Sequence, residues 1–109
     1  MQLFLVRHGE TIENKESIIQ GHMPGKLSLK GIKQTEQIAE RLKIENFDYI
    51  YSSDLARAAD TAKTIAKFHP NSNMIFTKNL REQNLGELQG KQRNIVKQYG
   101  NRMCFSYNF

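Results

Sequence analysis

Leu5-Val6-Arg7-His8-Gly9-Glu10-Thr11 sets a cation and an imidazole at the end of an apolar run, with a glycine directly behind them. An imidazole can attack phosphorus and hold the phosphoryl group covalently, which splits one difficult transfer into two easier ones. The attacking nitrogen must be unprotonated. Arg7 offers a fixed charge and forked donors for phosphate oxygens, a geometry that Lys cannot copy. Gly9 lets the backbone turn close to a ligand. The bland alternative is a strand-end His and Arg that meet only water.

Two further residues have chemistry that fits the same reaction. If Ser53 caps a helix, Arg57 is its fourth helical residue, in the first turn, where free backbone N–H groups already favour anions. Taken alone, an arginine there is a surface charge. Leu80-Arg81-Glu82-Gln83-Asn84-Leu85-Gly86-Glu87-Leu88-Gln89-Gly90 brings two acids and two glycines together. Glu82 could act as general acid to a leaving oxygen, provided that burial or the phosphate's own charge keeps its proton on. Its competing role is a salt bridge with Arg81 or another base.

These residues need a scaffold, and the apolar pattern supplies one. Gln2 to Arg7 reads as a buried strand of a parallel sheet, with His8 at its carboxyl end. Gly9 to Leu27, broken by Gly21, Pro24 and Gly25, reads as a long loop or a broken first helix. Ser28 caps a helix whose apolar face is Leu29, Ile32, Ile38, Ala39 and Leu42 and which ends near Lys43. Asp48 to Ser52 is a short strand. Ser53 then caps a second helix carrying Leu55, Ala58, Ala59, Ala62, Ile65 and Ala66, closed by His69-Pro70-Asn71. Met74 to Thr77 is a third strand, and Asn94 to Tyr99 could start another helix that Gly100 stops. Alternating strands and helices predict an α/β sheet with ligands outside the carboxyl ends of its strands.

The chain has 109 residues, enough for one domain at most. Its 39% hydrophobic and 25% charged residues describe a globular chain. The apolar run Leu3 to Val6 is far short of a membrane span, and no secretory signal pattern is present, so a cytoplasmic protein is expected. Cys104 has no cysteine partner, and no metal-ligand spacing occurs. The net charge of +5 lies entirely in the C-terminal part, where Lys91, Arg93, Lys97 and Arg102 follow Glu87 with no acid among them. That run admits a nucleic-acid partner, but only Tyr99 is available there to stack on bases.

Taken in order, the motifs resemble those of the histidine phosphatases, the family that includes the cofactor-dependent phosphoglycerate mutases. Arg7-His8-Gly9-Glu10-Thr11 with Asn14 is similar to the family's opening signature. Gln20-Gly21-His22 with Leu27-Ser28 is similar to the substrate loop and helix start that follow. Ser53, Leu55, Arg57, Ala58, Thr61 and Ala62 resemble its second block, and Leu80-Arg81-Glu82 through Gly90 its third. The resemblance implies a partial three-layer α/β sandwich with a mostly parallel sheet, residues 1–109 being the N-terminal part of a single domain. It also implies that His8 is the phosphorylated nucleophile and Glu82 the proton donor. Arg7, Arg57, Asn14, Gln20 and Gly21 would contact the substrate, with no metal or other cofactor. The family's second pocket histidine, before a Gly in the C-terminal half, has no counterpart here. His22 and His69 do not fit that role, and His69 reads as a surface turn residue.

The function expected is therefore hydrolysis of a small phosphomonoester through phosphohistidine, impaired by the missing half. A mutase-type phosphotransfer and a non-catalytic phosphate or nucleic-acid binder are the alternatives. Unpaired sheet edges and uncovered apolar faces would favour self-association.

Overall fold

The computed structural model describes residues 1–94. Within them a short helix α1 (Ile12–Lys15) is followed by α2 (Leu29–Leu42), strand β1 (Tyr49–Ser53), helix α3 (Ala56–Ala66) and strand β2 (Asn73–Thr77). Two 3₁₀ turns, Lys78–Leu80 and Gly86–Leu88, end the series. Strands β1 and β2 pair in parallel, from Tyr49 opposite Asn73 to Ser53 opposite Thr77. Parallel neighbours need a crossover, and α3 provides it. The fold is thus mixed α/β with a parallel sheet, as expected. No helix among the described residues is long and apolar enough to cross a membrane.

Helix α2 starts where its sequence directs, with the Ser28 hydroxyl accepting from the Gly31 N–H at 3.0 Å. Its buried face differs from the expected one. Gly31, Thr35, Ala39 and Leu42 are buried, whereas Leu29 is 83% exposed and Ile32 42%. The cause is the partner. In its second half Ala39 and Leu42 pack with Ile65 of α3 and with Ile38 and Phe47. The first half meets backbone. A Cβ on Gly31 would lie 1.9 Å from the Glu10 carbonyl oxygen, and one on Gly9 would lie 2.5 Å from the Gly31 oxygen. Two missing side chains thus let the loop after His8 rest on the helix. Gly31→Ala in an ordinary exposed helix would stabilise by about 1 kcal/mol. Here the clash reverses the sign, and a net loss of about 1–3 kcal/mol is expected from urea unfolding.

Three expectations are corrected. Gln2 to Arg7 does not join the sheet as a buried strand: it enters no ladder, and Leu3 and Leu5 are 73% and 79% exposed. A cavity of about 900 Å³ has this segment on one wall and β1 on another. No described strand bonds to its edge, so the apolar run alone does not bury it. Ser53 does not cap α3, because it is held in the β1 ladder opposite Thr77. The helix begins at Ala56 with Leu55 as its uncapped N-cap, and Ser53 Oγ instead accepts from the Leu55 N–H. His69 is not a surface residue. It is 8% exposed and meets Phe47 edge-on at 4.8 Å, while Phe47 takes Phe4 in the same way at 5.3 Å. The helix expected over Asn94 to Tyr99 lies outside the described residues from 95 onward.

Candidate active site

Thr11 caps α1 through a reciprocal pair: its hydroxyl accepts from the Asn14 N–H at 2.9 Å, and its own N–H donates to Asn14 Oδ1 at 3.1 Å. This turns the chain sharply after Gly9 and aims Asn14 at the cavity. The Ser28 hydroxyl donates to Glu10 Oε1 at 2.8 Å, and the Ser28 N–H to the Glu10 carbonyl at 2.9 Å. Glu10 therefore fastens the His8 loop to the start of α2.

His8 Nδ1 lies 2.7 Å from the Gly9 carbonyl oxygen. A proton on Nδ1 satisfies that bond and leaves Nε2 with its lone pair, the tautomer a nucleophile requires. Burial holds the imidazole pKa below the ordinary 6.5, and the charges of Arg57 and Arg7 act the same way. The Gly9 hydrogen bond and the Glu82 carboxylate oppose that shift without cancelling it. Burial and the two guanidinium charges thus favour the unprotonated ring that attack requires.

Arg57 is 4% exposed. Its guanidinium donates to the Gly21 carbonyl at 2.8 Å and to that of Met23, while its backbone N–H donates to Pro24 O at 2.9 Å. The first-turn N–H expected to serve an anion is therefore committed to the 20–25 loop. Three guanidinium N–H groups remain, and the residue lines the cavity. The same loop is tied from the other side by Gln89, whose Oε1 accepts from the His22 N–H at 2.8 Å. Gly21 has φ +51°, and a Cβ there would lie 2.4 Å from that oxygen. Gln20 is buried with its Oε1 unpartnered among the described residues.

Glu82 is half-buried, and one of its oxygens accepts from the Gln83 N–H at 2.8 Å. No salt bridge claims it among the described residues, and Arg81 is engaged with Asp54 at 2.6 Å. Arg7 is exposed and makes no hydrogen bond or ion pair with another described residue. His8, Glu82, Arg7, Asn14, Gln20, Gly21 and Arg57 all line the one cavity of about 900 Å³. Arg93, expected to belong to a basic surface, lines it too, with its Nε buried.

Thr61 has a place that its sequence did not disclose. Buried on α3, it donates to the Arg57 carbonyl at 2.8 Å and accepts from the Gly9 N–H at 3.2 Å. Its signal was faint: a threonine four residues after Arg57, hence on the same helix face. Asp54, one residue beyond β1, gave none.

Known proteins are similar to this chain in sequence and in fold. The chain is 47% identical over 90 residues to a metal-independent phosphoserine phosphatase of Arabidopsis thaliana, covering 82% of this chain and 38% of that protein. It is 44% identical over 95 residues to the probable phosphoglycerate mutase GpmB of Escherichia coli, covering 87% and 43%. Among solved structures, a mycobacterial glucosyl-3-phosphoglycerate phosphatase complexed with VO3 superposes with a TM-score of 0.79 at 33% identity, over 86% of this chain and 44% of that one. An Entamoeba histolytica phosphoserine phosphatase bound to 3-phosphoglyceric acid gives 0.72 at 34%, over 83% and 44%. The chain spans about two fifths of the length of the curated relatives it matches. A single family model matches residues 3–104, and the chain belongs to the histidine phosphatase superfamily, branch 1.

Proposed function

We propose that this chain carries the phosphoryl-accepting part of a phosphatase for small phosphomonoesters, as the N-terminal portion of a single domain. The observation that carries the reading is the His8 imidazole, with Nδ1 occupied by the Gly9 carbonyl and Nε2 left for attack, in a cavity shared with Arg7, Arg57 and Glu82. Nε2 attacks phosphorus as the ester P–O bond breaks, and Glu82 gives its proton to the departing oxygen. Water then attacks the phosphohistidine, Glu82 takes up a proton from it, and the P–N bond breaks to release phosphate. Arg7 and the remaining Arg57 donors hold the phosphoryl oxygens through both steps. Asn14, Gln20 and Gly21 bound the space for the rest of the substrate. The C-terminal half of the domain supplies the second pocket histidine, so turnover by residues 1–109 alone is strongly impaired.

The setting proposed is cytoplasmic. The apolar side chains of Leu3, Leu5, Tyr49 and Tyr51 are more than half exposed and would support self-association in place of that half.

Orthovanadate, a mimic of pentacoordinate phosphorus, tests the reading without turnover. Adding it to the labelled chain is expected to shift the His8 imidazole resonances and to leave those of His69 in place. A His8 signal unmoved at saturating vanadate would overturn the proposal.

A further inference from the structure

We propose that the ion pair between Arg81 and Asp54 is the latch that fixes Glu82 against His8, which makes Arg81 and Asp54 positioning residues for the proton donor. This rests on the phosphatase reading for the task given to Glu82, but not for the placement itself.

The geometry is that of a fork. Arg81 Nε donates to Asp54 Oδ1 at 2.6 Å and Arg81 Nη2 to Asp54 Oδ2 at 2.6 Å. Two parallel bonds fix the plane of the guanidinium as well as its distance, which a single contact would not. Asp54 lies between the last residue of β1 and the first turn of α3, three residues before Arg57. Arg81 immediately precedes Glu82. The latch therefore ties the stretch that bears the carboxylate to the helix start that bears the buried guanidinium.

Little else polar holds that stretch. The turn Lys78–Leu80 is capped by Thr77 Oγ1 and closed by the Arg81 N–H on the Lys78 carbonyl at 3.1 Å. From Glu82 to Asn84 the bonds among described residues are local: Gln83 N–H to Glu82 Oε1, and Gly86 N–H to Asn84 Oδ1. The next tie to a distant part of the chain is Gln89, which receives both the Leu85 and the His22 N–H groups. An isolated surface ion pair would contribute little to stability. A bidentate pair on the residue beside a cavity-lining carboxylate has a different use, namely to set where that carboxylate sits.

His8 reports the placement. The Glu82 carboxylate raises the His8 pKa, so a carboxylate moved away from the ring lowers it. The experiment is an NMR titration of the His8 imidazole in the chain as it stands, with dispersed amide spectra checking the fold of each variant. Glu82→Gln is expected to lower the His8 pKa. Arg81→Gln should lower it by the same amount, and Arg81→Lys, which keeps the charge but loses the fork, should move it in the same direction. In the Glu82→Gln background, Arg81→Gln should add nothing. Asp54→Asn carries the test if Arg81→Gln unfolds.

A His8 titration that moves in Glu82→Gln but stays unchanged in Arg81→Gln and Asp54→Asn would overturn the latch. So would an unmoved titration in Glu82→Gln itself, or an Arg81→Gln effect that persists without the carboxylate. No turnover is measured, so the phosphatase reading can fail on vanadate while the latch stands, and the reverse.

Discussion

His8→Ala, introduced with the rest of the domain in place, is expected to reduce hydrolysis of p-nitrophenyl phosphate at least about a thousandfold, or about 4 kcal/mol of transition-state stabilisation. No neighbour can substitute. The described residues at the cavity include no second imidazole and no thiol; Arg7, Arg57, Arg81 and Arg93 are cations, and the carboxylate of Glu82 is needed for the proton. The pH profile should carry the same signature. Attack requires the neutral imidazole, and burial beside Arg57 and Arg7 lowers the His8 pKa from 6.5. The midpoint of the acid limb of kcat/KM should therefore lie below the 6.5 of an ordinary imidazole. Retention of more than a tenth of the rate in His8→Ala would assign the chemistry to another group.

The second large effect belongs to Arg57 and is a matter of stability. Arg57→Ala removes two charge-assisted bonds and strands the Gly21 and Met23 carbonyls beneath the loop. Each such bond contributes about 1.5–3 kcal/mol, so a loss of about 3–6 kcal/mol is expected from urea unfolding. That is a large part of the roughly 5–15 kcal/mol that holds a typical domain together. Arg57→Lys should recover only part of it, because one ammonium cannot match a planar fork across two carbonyls. A loss under about 1 kcal/mol in Arg57→Ala would show that the loop holds itself.

Much of the site's layout is written in local patterns. Ser28 and Thr11 have the side chains that caps require, and the apolar spacing of α3 turns Arg57 inward with Thr61. What could not be read are the pairings between distant segments. Arg81 chooses Asp54 over its neighbour Glu82, and Arg57 spends its donors on carbonyls thirty-odd residues away. Gly31 marks the limit well. In sequence it is a helix-weakening residue, and only the Glu10 backbone lying against it gives it a purpose. The run Leu3 to Val6 shows the opposite error, since apolarity states a need for burial without naming what will cover it.

The aromatic row of Phe4, Phe47 and His69 has a practical use. His69 lies edge-on to Phe47, which in turn meets Phe4, so its ring protons sit in the ring current of a fixed neighbour. The three histidines of the chain thus occupy three magnetically distinct places: a cavity wall, a loop and the end of an aromatic row. His69 supplies an internal standard that should stay still while vanadate is added at fixed pH, and its displacement would announce loss of the fold before any signal at His8 could be misread as chemistry.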